Sequence, residues 1–575
     1  MEAVLEKRTQ QIETEKLLGA EAILKCLIEE QIDTIFGYPG GAIMPVYDSL
    51  HGYGDRLNHI LARHEQGAIH AAQGYARSSG KVGVCFATSG PGATNLITGI
   101  TDALIDSTPL VCITGQVASH LLGSDAFQET DIIGISMPVT KWNFQVTRPK
   151  EIPEAIAKAF YIAKSGRPGP VLIDITKDAQ QQMFDFFHEP CMRIRSYQPY
   201  PVPKEESIRE AADLINQAQK PFIVFGQGVT LSGAENELFK FIEKTGIPAA
   251  STLLGLSAFP TRHPLHVGYT GMHGNYGPNV KTNECDVFIA IGMRFDDRVT
   301  GDVSTYAKQA KVIHIELDPA EIDKNILTDV AINGDAKQVL KTLSPLVYEN
   351  SHQAWLEEFR ACDRLEFDKT VQRSIHPDSK SMTMAEVIHR LSDRTEGRSI
   401  IVTDVGQHQM MASRYYQFDQ PRSHITSGGL GTMGFCLPAA IGAKIGKPER
   451  EVIGIIGDGG FQMTIQELGV IMQYQIPVKI LVLNNSFLGM VRQWQQLFFE
   501  SRYSFTEMDN PDFVKLAEGY RIKAQRVEDR SSLDQAFDHW LDFEGPSLLE
   551  VVVEKEENVF PMVPSGSCVS KIRLE

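Results

Sequence analysis

One stretch of the chain, GDGGFQMTIQELGVIMQYQIPVKILVLNN at residues 457–485, places an acidic residue in a glycine turn and ends on two asparagines. Asp458 follows the apolar run EVIGIIG and Asn485 follows KILVL, so both are expected at the carboxyl ends of strands joined by a helix. A right-handed βαβ crossover brings such strand ends together on one sheet edge. The carboxylate and amide oxygens would then form a compact site of hard ligands, suited to Mg²⁺ in company with phosphate oxygens.

The glycines of this turn favour the same interpretation. Gly457, Gly459 and Gly460 let backbone N–H groups point toward the start of the predicted helix, where anions are favoured. Each fragment alone is more simply explained as a tight turn or a strand terminator. The combination, with strand, turn, helix and strand in order, is more specific and predicts a magnesium diphosphate site.

The elements that must position these residues belong to an α/β protein. Short β-branched runs such as VGVCFATSG, PLVCITG, CDVFIAIG and KVIHIELD end in polar or glycine residues before helical stretches, which is typical of mainly parallel sheets. A length of 575 residues requires several domains. We predict a polar tail (1–16), a first domain (17–187), a linker (188–207), a central domain (208–345), a second linker (346–380), and a third domain with a C-terminal cap (381–575).

The first and third domains echo each other. ATSGPGATN and IGDGGFQMT each precede a helix and then a strand opened by proline, and RPGPVLIDITKD later matches FEGPSLLEVVVEKE. Two echoes in the same order favour a duplicated domain, and such halves often share one ligand.

Composition excludes several other classes of protein. The formal net charge of −17 gives no global basic field for nucleic acid, and no apolar run approaches the length of a membrane span. The eight cysteines form no CxxC pair, which argues against a zinc site or a disulfide framework. The charged amino terminus lacks the features of a signal or transit peptide, so we expect a cytoplasmic protein.

The Gly-Asp-Gly and Asn-Asn pattern resembles the signature of the thiamine diphosphate-dependent enzymes. The resemblance implies that Asp458, Asn485 and the main chain of Phe487 hold Mg²⁺. It also implies a buried glutamate on another domain that interacts with the cofactor's aminopyrimidine N1′, and ARHEQGAIHAAQGYAR supplies Glu65. An isolated glutamate is more often a solvated charge, but the alanines that follow predict a closely packed helix with Glu65 near its buried start.

Within that family the chain, from about residue 17 to 568, is most similar to the acetohydroxyacid (acetolactate) synthase catalytic subunits. The motifs that carry the resemblance include FGYPGGA, RHEQGA, TSGPGATN, DAFQE, GGLGTMGF, GMVRQWQ and FPMVPSG. It implies catalytic-site roles for Gly41, Gln128 and Lys177 beside Glu65, although Thr176 stands where relatives commonly have proline. The implied contacts to thiamine diphosphate are Val405, Gly406, Gln407, His408, Gly431, Met433, Gly459 and Gly460, and the implied substrate pocket contains Trp494, Arg298 and Ser565.

The central domain resembles a flavin-binding one. Its PFIVFGQGVTLSG does not fit G-x-G-x-x-G, so that loop alone is a weak dinucleotide signal. GMHGN, IGMRFDDR, IELDPAEI and INGDA strengthen the resemblance, although RFDDR could also be a surface salt-bridge cluster. The implied FAD contacts are Arg167, Gly226, Gly228, Thr252, Leu253, Met272, His273, Gly292, Arg294, Asp296, Arg298, Glu316 and Asp335.

The resemblance implies that pyruvate is decarboxylated and its two-carbon unit transferred to pyruvate or 2-ketobutyrate, in branched-chain amino-acid biosynthesis. FAD would be structural or vestigial for this reaction. Alternatives are another thiamine diphosphate carboligase, pyruvate oxidase, or a catalytically idle flavoprotein. The expected assembly is a homodimer or homotetramer in which each active site needs two chains, together with a small regulatory subunit.

Overall fold

The computed structural model describes residues 15–575, so residues 1–14, most of the predicted polar tail, lie outside the described part of the chain. The chain forms two compact units, the first ending at Gln198 and the second beginning at Pro199. The first unit holds one six-stranded parallel sheet, and the second unit holds two. No helix among residues 15–575 is long and apolar enough to cross a membrane.

The first unit contains a parallel sheet in the order β3-β2-β4-β5-β7-β6, and a separate antiparallel pair, β1 and β8. The pairing of β1 takes in Glu15 and Lys16, which the sequence had assigned to the tail, because Leu17 beside them packs into the core. The strands are β1 Glu15–Leu18, β2 Thr34–Gly37, β3 Asn58–Leu61, β4 Gly83–Ala87, β5 Leu110–Gln116, β6 Trp142–Val146, β7 Pro170–Thr176 and β8 Met183–Phe186. The helices are Gly19–Glu29, Met44–Leu50, Glu65–Ser79, Pro91–Asn95, Ile97–Ile105, Ile132–Ser136, Ile152–Lys164 and Lys177–Gln181.

The central domain opens the second unit and has the strand order β11-β10-β9-β12-β13-β14, all parallel. Counted within the sheet, this is 3-2-1-4-5-6, the order of dinucleotide-binding folds. The strands are β9 Pro221–Phe225, β10 Ala249–Ser251, β11 His266–Tyr269, β12 Val287–Ile291, β13 Lys311–Glu316 and β14 Val330–Asn333. The helices are Glu205–Gln217, Gln227–Leu231, Glu235–Thr245, Tyr276–Thr282, Asp297–Thr300 and Ala336–Leu343.

The third domain has the strand order β16-β15-β17-β18-β20-β19. Counted in chain order within each sheet, the first and third domains both read 2-1-3-4-6-5, which confirms the predicted relation between them. The strands are β15 Ile400–Thr403, β16 His424–Thr426, β17 Val452–Gly457, β18 Lys479–Asn484, β19 Lys523–Val527 and β20 Ser547–Val552. The helices are Met384–Thr395, Gln407–Tyr415, Cys436–Gly446, Asp458–Met463, Leu468–Tyr474, Gly489–Phe498, Phe513–Gly519 and Arg530–Leu541.

The segment 346–380, predicted as a linker from its charge, is largely helical. It contains an α-helix at Gln353–Glu366, a π-helical stretch at Phe367–Val371 and a further turn at Gln372–Ile375. Trp355 and Phe359 lie one turn apart and are buried against the central domain, where the Trp355 indole N–H donates to the carbonyl of Pro221 at 2.9 Å. The charged residues therefore lie on the outer face of an amphipathic helix. The average composition of the segment is charged and does not reveal the apolar stripe on the buried face.

Candidate active site

The third domain brings Asp458 to the carboxyl end of β17, as the sequence predicted. Asp458 is the first residue of the helix Asp458–Met463 and is 1% exposed. Burial raises the pKa of its carboxyl group to about 6, against smaller lowering by hydrogen bonds from the Asn510 side chain and nearby backbone N–H groups. The Asn510 amide donates to Asp458 Oδ2 at 2.7 Å. A buried carboxylate with neutral partners suits a site that a cation completes.

Asn485 follows β18, the strand that pairs with β17, and is also buried. Its Nδ2 donates to Gln407 Oε1 at 3.5 Å, and its Oδ1 accepts from the backbone N–H of Phe487 at 3.2 Å. Gly489 fits closely here, because a Cβ at that position would lie 2.1 Å from Gln407 Oε1 and 2.9 Å from Asn485 Nδ2. Gln407 and Asn485 are thus in contact, although they follow different strands, β15 and β18.

His408 lies beside this group. It is in the first turn of the helix Gln407–Tyr415, and a Cβ on Gly457 would lie 2.8 Å from its Nδ1. Its Nε2 is buried without a hydrogen-bond partner among the described residues. A buried polar atom normally has a partner, so an orphaned ring nitrogen beside a glycine turn fits a site for an anionic ligand.

Met433 lies in a loop that a buried aspartate organises. Asp404, directly after β15, accepts backbone N–H groups from Val405 at 2.8 Å, Gly434 at 3.0 Å and Cys436 at 3.1 Å. A Cβ on Gly459 would lie 3.9 Å from Met433 Cε, so the loop reaches the Gly-Asp-Gly turn. The predicted residue Gly431 is in the same loop, with φ of +70°, and is exposed.

Strand order explains why these loops meet. The strand order reverses between β15 and β17: β16 is added on one side of β15, and the later strands are added on the other. Ligands of α/β sheets bind outside the carboxyl ends of the strands at such a point. The loops after β15, β17 and β18 supply Val405 to His408, Asp458 to Gly460, and Asn485 to Phe487. No group of three or more His, Cys, Asp or Glu side chains between residues 15 and 575 could hold a metal ion, so a cation here would also need neutral oxygens.

Glu65 occupies the corresponding edge of the sheet in the first domain. It begins the helix Glu65–Ser79 and is 8% exposed, so the prediction of a buried helix start is confirmed. Asn95 Nδ2 donates to Glu65 Oε2 at 3.0 Å. The other oxygen, Oε1, lies 3.2 Å from where a Cβ on Gly92 would stand.

The segment TSGPG, which contacts Glu65 through Gly92, also approaches two other predicted residues, Gly41 and Gln128. A Cβ on Gly40, next to Gly41, would meet Thr88 at 2.5 Å, while Gly41 itself has open space around it. Gly90, with φ of +59°, lies against the backbone of Gln128, whose own φ is +60°.

Lys177 follows β7 at the start of the helix Lys177–Gln181. Thr176 before it is extended, with φ −64° and ψ 148°. That is a backbone conformation that proline also adopts. The departure from the family pattern therefore leaves Lys177 at a helix start.

The central domain places its predicted flavin contacts in the loops after its strands. Gly226 and Gly228 follow β9, Gly292 follows β12, and these two strands are adjacent at the point where the strand order reverses. A Cβ on Gly228 would lie 2.6 Å from Gly292 Cα, so the two loops touch through backbone alone. Glu316 is the last residue of β13, and the other predicted contacts of this domain follow β10, β11, β12 and β14: Thr252, Leu253, Met272, His273, Arg294, Asp296, Arg298 and Asp335.

Several of these side chains serve their own loops. Thr252, Asp296 and Asp335 cap short helices by accepting backbone N–H groups, and Glu316 accepts from Leu317 at 2.8 Å and Asp318 at 3.0 Å. Arg298 is exposed and its Nη1 lies 3.7 Å from Met272 Sδ. The RFDDR run is thus partly a capping motif, a role that its charge pattern alone did not indicate.

Three further predicted residues have contacts of their own, described for each in turn. Arg167 is in the first unit, where its Nε donates to Ser107 Oγ at 2.9 Å. Trp494 is half-buried in the helix Gly489–Phe498 and packs on Phe498 with ring centroids 5.0 Å apart. Ser565 is exposed in the C-terminal segment, whose Val563 N–H donates to the carbonyl of Met272 at 2.8 Å.

Substituting alanine at Gly228 tests the close approach in the central domain. The added methyl would meet the backbone of Gly292, which cannot rotate away, so we expect a loss of about 1–3 kcal/mol in unfolding free energy. Chemical denaturation of the purified protein measures this loss. Gly519→Ala is the control, because nothing lies within 4 Å of that Cβ position. Equal thermal stability of the two variants would contradict the close approach.

Burial lowers the pKa of His408 to about 4, so its imidazole is neutral at pH 7 in the cofactor-free protein. Between pH 6.5 and 4 the imidazole is protonated in the unfolded chain but not in the folded one. The unfolding free energy therefore decreases as the pH is lowered through this range, by at most about 3 kcal/mol from this group. In ¹³C-histidine spectra, the signal missing from His408→Gln should not titrate between pH 8 and 5. A midpoint near 6.5 would show a solvated imidazole.

Comparison with known proteins agrees with this arrangement of domains. Residues 18–135, 208–343 and 404–551 match the N-terminal binding domain, the central domain and the C-terminal binding domain of thiamine pyrophosphate (thiamine diphosphate) enzymes. The chain belongs to the thiamine diphosphate-dependent enzymes. The two matched binding domains are the ones that contain Glu65 and Asp458.

Similar proteins extend the match over the full length. The chain is 47% identical to a probable acetolactate synthase large subunit of Methanocaldococcus jannaschii, covering 97% of this chain and 96% of the relative. It is 47% identical to the acetolactate synthase large subunit of Corynebacterium glutamicum, covering 99% and 92%. It is 45% identical to the isozyme 2 large subunit of Escherichia coli, covering 96% and 99%. Within the thiamine diphosphate-dependent enzymes, the chain therefore belongs with the acetolactate synthase large subunits.

Sequence reasoning missed the residues that support the predicted ones. Asn95, Asp404, Gln493 and Asn510 each hydrogen-bond to a predicted residue or its loop, and Gln493 Oε1 accepts from Gln407 Nε2 at 3.0 Å. A signal existed for two of them, since Asn95 ends the TSGPGATN motif and Asp404 immediately precedes Val405. Nothing local marks Gln493 or Asn510, because each reaches its partner only through the fold.

Proposed function

We propose that this chain is the catalytic subunit of an acetolactate synthase, which decarboxylates pyruvate and transfers the two-carbon unit to a second 2-ketoacid. With pyruvate as acceptor the product is 2-acetolactate, and with 2-ketobutyrate it is 2-aceto-2-hydroxybutyrate. The observation that carries the proposal is full-length similarity to acetolactate synthase large subunits in a chain that keeps Glu65 buried and Asp458 beside the Asn485 loop. Branched-chain amino-acid biosynthesis is the corresponding pathway.

The reaction depends on the electron sink that bound thiamine diphosphate supplies. Within the proposal, Glu65 holds a proton at the aminopyrimidine N1′. The hydrogen bond from Asn95 fixes one carboxyl oxygen of Glu65, which leaves Oε1 for that contact. The low exposure of Glu65 excludes water from the same place.

In the third domain we propose that Asp458, Asn485 and the carbonyl of Phe487 hold Mg²⁺ between the protein and the diphosphate. Their oxygens are the hard ligands that Mg²⁺ prefers. The orphaned Nε2 of His408 and the backbone N–H groups of Gly459 and Gly460 would face the diphosphate oxygens. Met433, whose Cε reaches the Gly-Asp-Gly turn, would support the cofactor from the side of its loop.

We further propose that the central domain binds FAD. Two features support this: the 3-2-1-4-5-6 strand order, and the contact of Gly228 with Gly292 where that order reverses. None of the steps proposed here uses flavin redox chemistry, so its expected role is structural. Arg298, exposed beside Met272, is a candidate for binding the carboxylate of the second ketoacid, a task that suits a planar guanidinium. Trp494 would narrow the pocket for that ketoacid.

The deciding experiment supplies purified protein with pyruvate, thiamine diphosphate, Mg²⁺ and FAD, omits each cofactor in turn, and quantifies acetolactate and acetate. Acetolactate that depends on all three cofactors supports the proposal. Acetate formed with oxygen uptake would instead indicate a pyruvate oxidase. Retained cofactors with no consumption of pyruvate would indicate an idle flavoprotein or a missing subunit.

The proposed assembly is a homodimer or homotetramer, because the duplicated first and third domains each carry half of the residues for one cofactor. Light scattering on the purified chain tests it. Several relatives are named large subunits, and from that we propose a small regulatory partner. All eight cysteines are free thiols, which supports a reducing, cytoplasmic location.

A further inference from the structure

A chain of hydrogen bonds runs from Asp458 through two asparagines to a buried glutamate that is paired with an arginine at the surface. Asn510 Nδ2 donates to Asp458 Oδ2 at 2.7 Å and to Asn484 Oδ1 at 3.0 Å. Asn484 Nδ2 donates in turn to Glu550 Oε1 at 2.7 Å. Glu550 is fully buried and accepts from Arg526 Nε at 2.9 Å. The chain therefore joins β17, β18, β20 and β19 behind the predicted cation site.

The two carboxylates at its ends fix the orientation of both amides. An ionised carboxylate accepts hydrogen bonds and donates none. Asn484 must therefore turn its NH₂ toward Glu550, which leaves its oxygen facing Asn510. Asn510 must in turn present its NH₂ to that oxygen and to Asp458 Oδ2. If either amide were flipped, its oxygen would face a carboxylate oxygen, and neither atom could donate a hydrogen bond.

The side-chain oxygen of Asn510 has a hydrogen-bond partner as well, and the backbone around Asn510 is paired with a neighbouring loop. Gln462 Nε2 donates to Asn510 Oδ1 at 2.9 Å, so the side chain is engaged at both ends. The backbone leading to Asn510 runs beside the loop after β18, where Leu488 N–H donates to Thr506 O and Met508 N–H donates to Ser486 O, each at 2.8 Å. Backbone pairing thus holds Asn510 in place, and its NH₂ group points toward Asp458 and Asn484.

We propose that Asn510 is a positioning residue for the cation site: with Asn484 it holds Asp458 Oδ2, so that Oδ1 remains available to Mg²⁺. This inference rests on the proposed role of Asp458 as a Mg²⁺ ligand. It also assigns separate tasks to the two adjacent asparagines, with Asn485 at the cation and Asn484 behind it. Groups that orient a metal ligand in this way typically change metal affinity by roughly 10–100-fold when removed.

Asn510→Ala tests the proposal by Mg²⁺ binding rather than by turnover. The side chain borders a cavity of about 450 Å³ that Asn484 and Arg526 also line, so its truncation extends an existing space and does not open a packed core. Calorimetric titration of MgCl₂ into protein mixed with excess thiamine diphosphate and FAD should give an apparent Kd for Mg²⁺ raised roughly 10–100-fold. The same variant should recover turnover as MgCl₂ is raised, which a general folding defect would not allow.

Two further variants make the test specific. Asn216→Ala removes an amide that donates to the carbonyl of Leu346 in the central domain, and its Mg²⁺ affinity should equal that of the unmodified protein. Asn484→Ala should weaken Mg²⁺ binding as well, and the Asn484→Ala/Asn510→Ala double variant should be no weaker than Asn510→Ala alone, because both act through one chain of bonds.

The outcomes separate this inference from the proposed function. If the unmodified protein binds thiamine diphosphate without any need for Mg²⁺, the proposed cation site itself fails. If the unmodified protein requires Mg²⁺ but both asparagine variants keep its Kd within twofold, the cation site stands and the positioning role is overturned. Should Asn510→Ala not fold, the Asn484→Ala titration decides in the same way.

Discussion

Replacement of Glu65 by glutamine is expected to lower the rate of acetolactate formation by roughly 10²–10⁴, the usual contribution of a positioned proton-transfer group. Glutamine has nearly the same shape, and its side-chain oxygen can still accept the hydrogen bond from Asn95. It cannot hold an acidic proton at the aminopyrimidine N1′. The loss should therefore appear in turnover, with little change in thermal stability or in the amount of bound thiamine diphosphate.

Glu154→Gln is the matched control for this experiment. Glu154 lies in the helix Ile152–Lys164 of the same domain and pairs with Lys158 one turn away, with its side chain 74% exposed. Its replacement should leave turnover unchanged, since exposed pairs of this kind contribute little. A Glu65→Gln enzyme that works within tenfold of the unmodified rate would remove Glu65 from the proposed mechanism.

Replacement of Arg414 by methionine is expected to destabilise the second unit by about 3–5 kcal/mol, because it leaves a buried carboxylate without its cation. Arg414 is 1% exposed and forms a close ion pair with Glu366, whose side chain is 3% exposed. Its Nη1 also donates to the carbonyls of His273 at 3.3 Å and Gly274 at 3.1 Å. The loop that carries Met272 and His273 should loosen, and retention of the FAD proposed to bind there should decrease with it.

A second arginine in the same neighbourhood serves as the control. Arg364, in the helix Gln353–Glu366, pairs with Glu357 at 2.8 Å, but both side chains are more than half exposed. Arg364→Met is expected to cost about 0–1 kcal/mol. Chemical denaturation of the two variants measures the difference in unfolding free energy. If both lose the same small amount of stability, the Arg414 ion pair does not hold this loop.

Much of the fold was predictable because its signals are local. The β-branched runs ending in glycine or polar residues indicated parallel sheets, and the repeated strand–turn–helix pattern indicated duplication, which the shared 2-1-3-4-6-5 order confirms. The segment 346–380 was not predictable in the same way. Its high charge suggested a linker, while Trp355 and Phe359 are buried by contacts with a distant sheet.

The sequence by itself determined the residues that each strand end presents. Asp458, Asn485 and Glu65 follow or begin elements whose type is encoded in a few neighbouring residues, and chain chirality then fixes their side of the sheet. Family resemblance added the roles of Gln128, Lys177 and Met433, which their residue types alone do not indicate.

Only the tertiary structure decided how those side chains are held. Asn510 reaches Asp458 from more than fifty positions along the chain, and Glu366 reaches Arg414 from the helical segment 346–380. Such contacts depend on strand order and on loop geometry that no short window contains. Hydrogen-bond direction likewise depends on distant partners, since the NH₂ of Asn484 donates to Glu550, which lies on another strand.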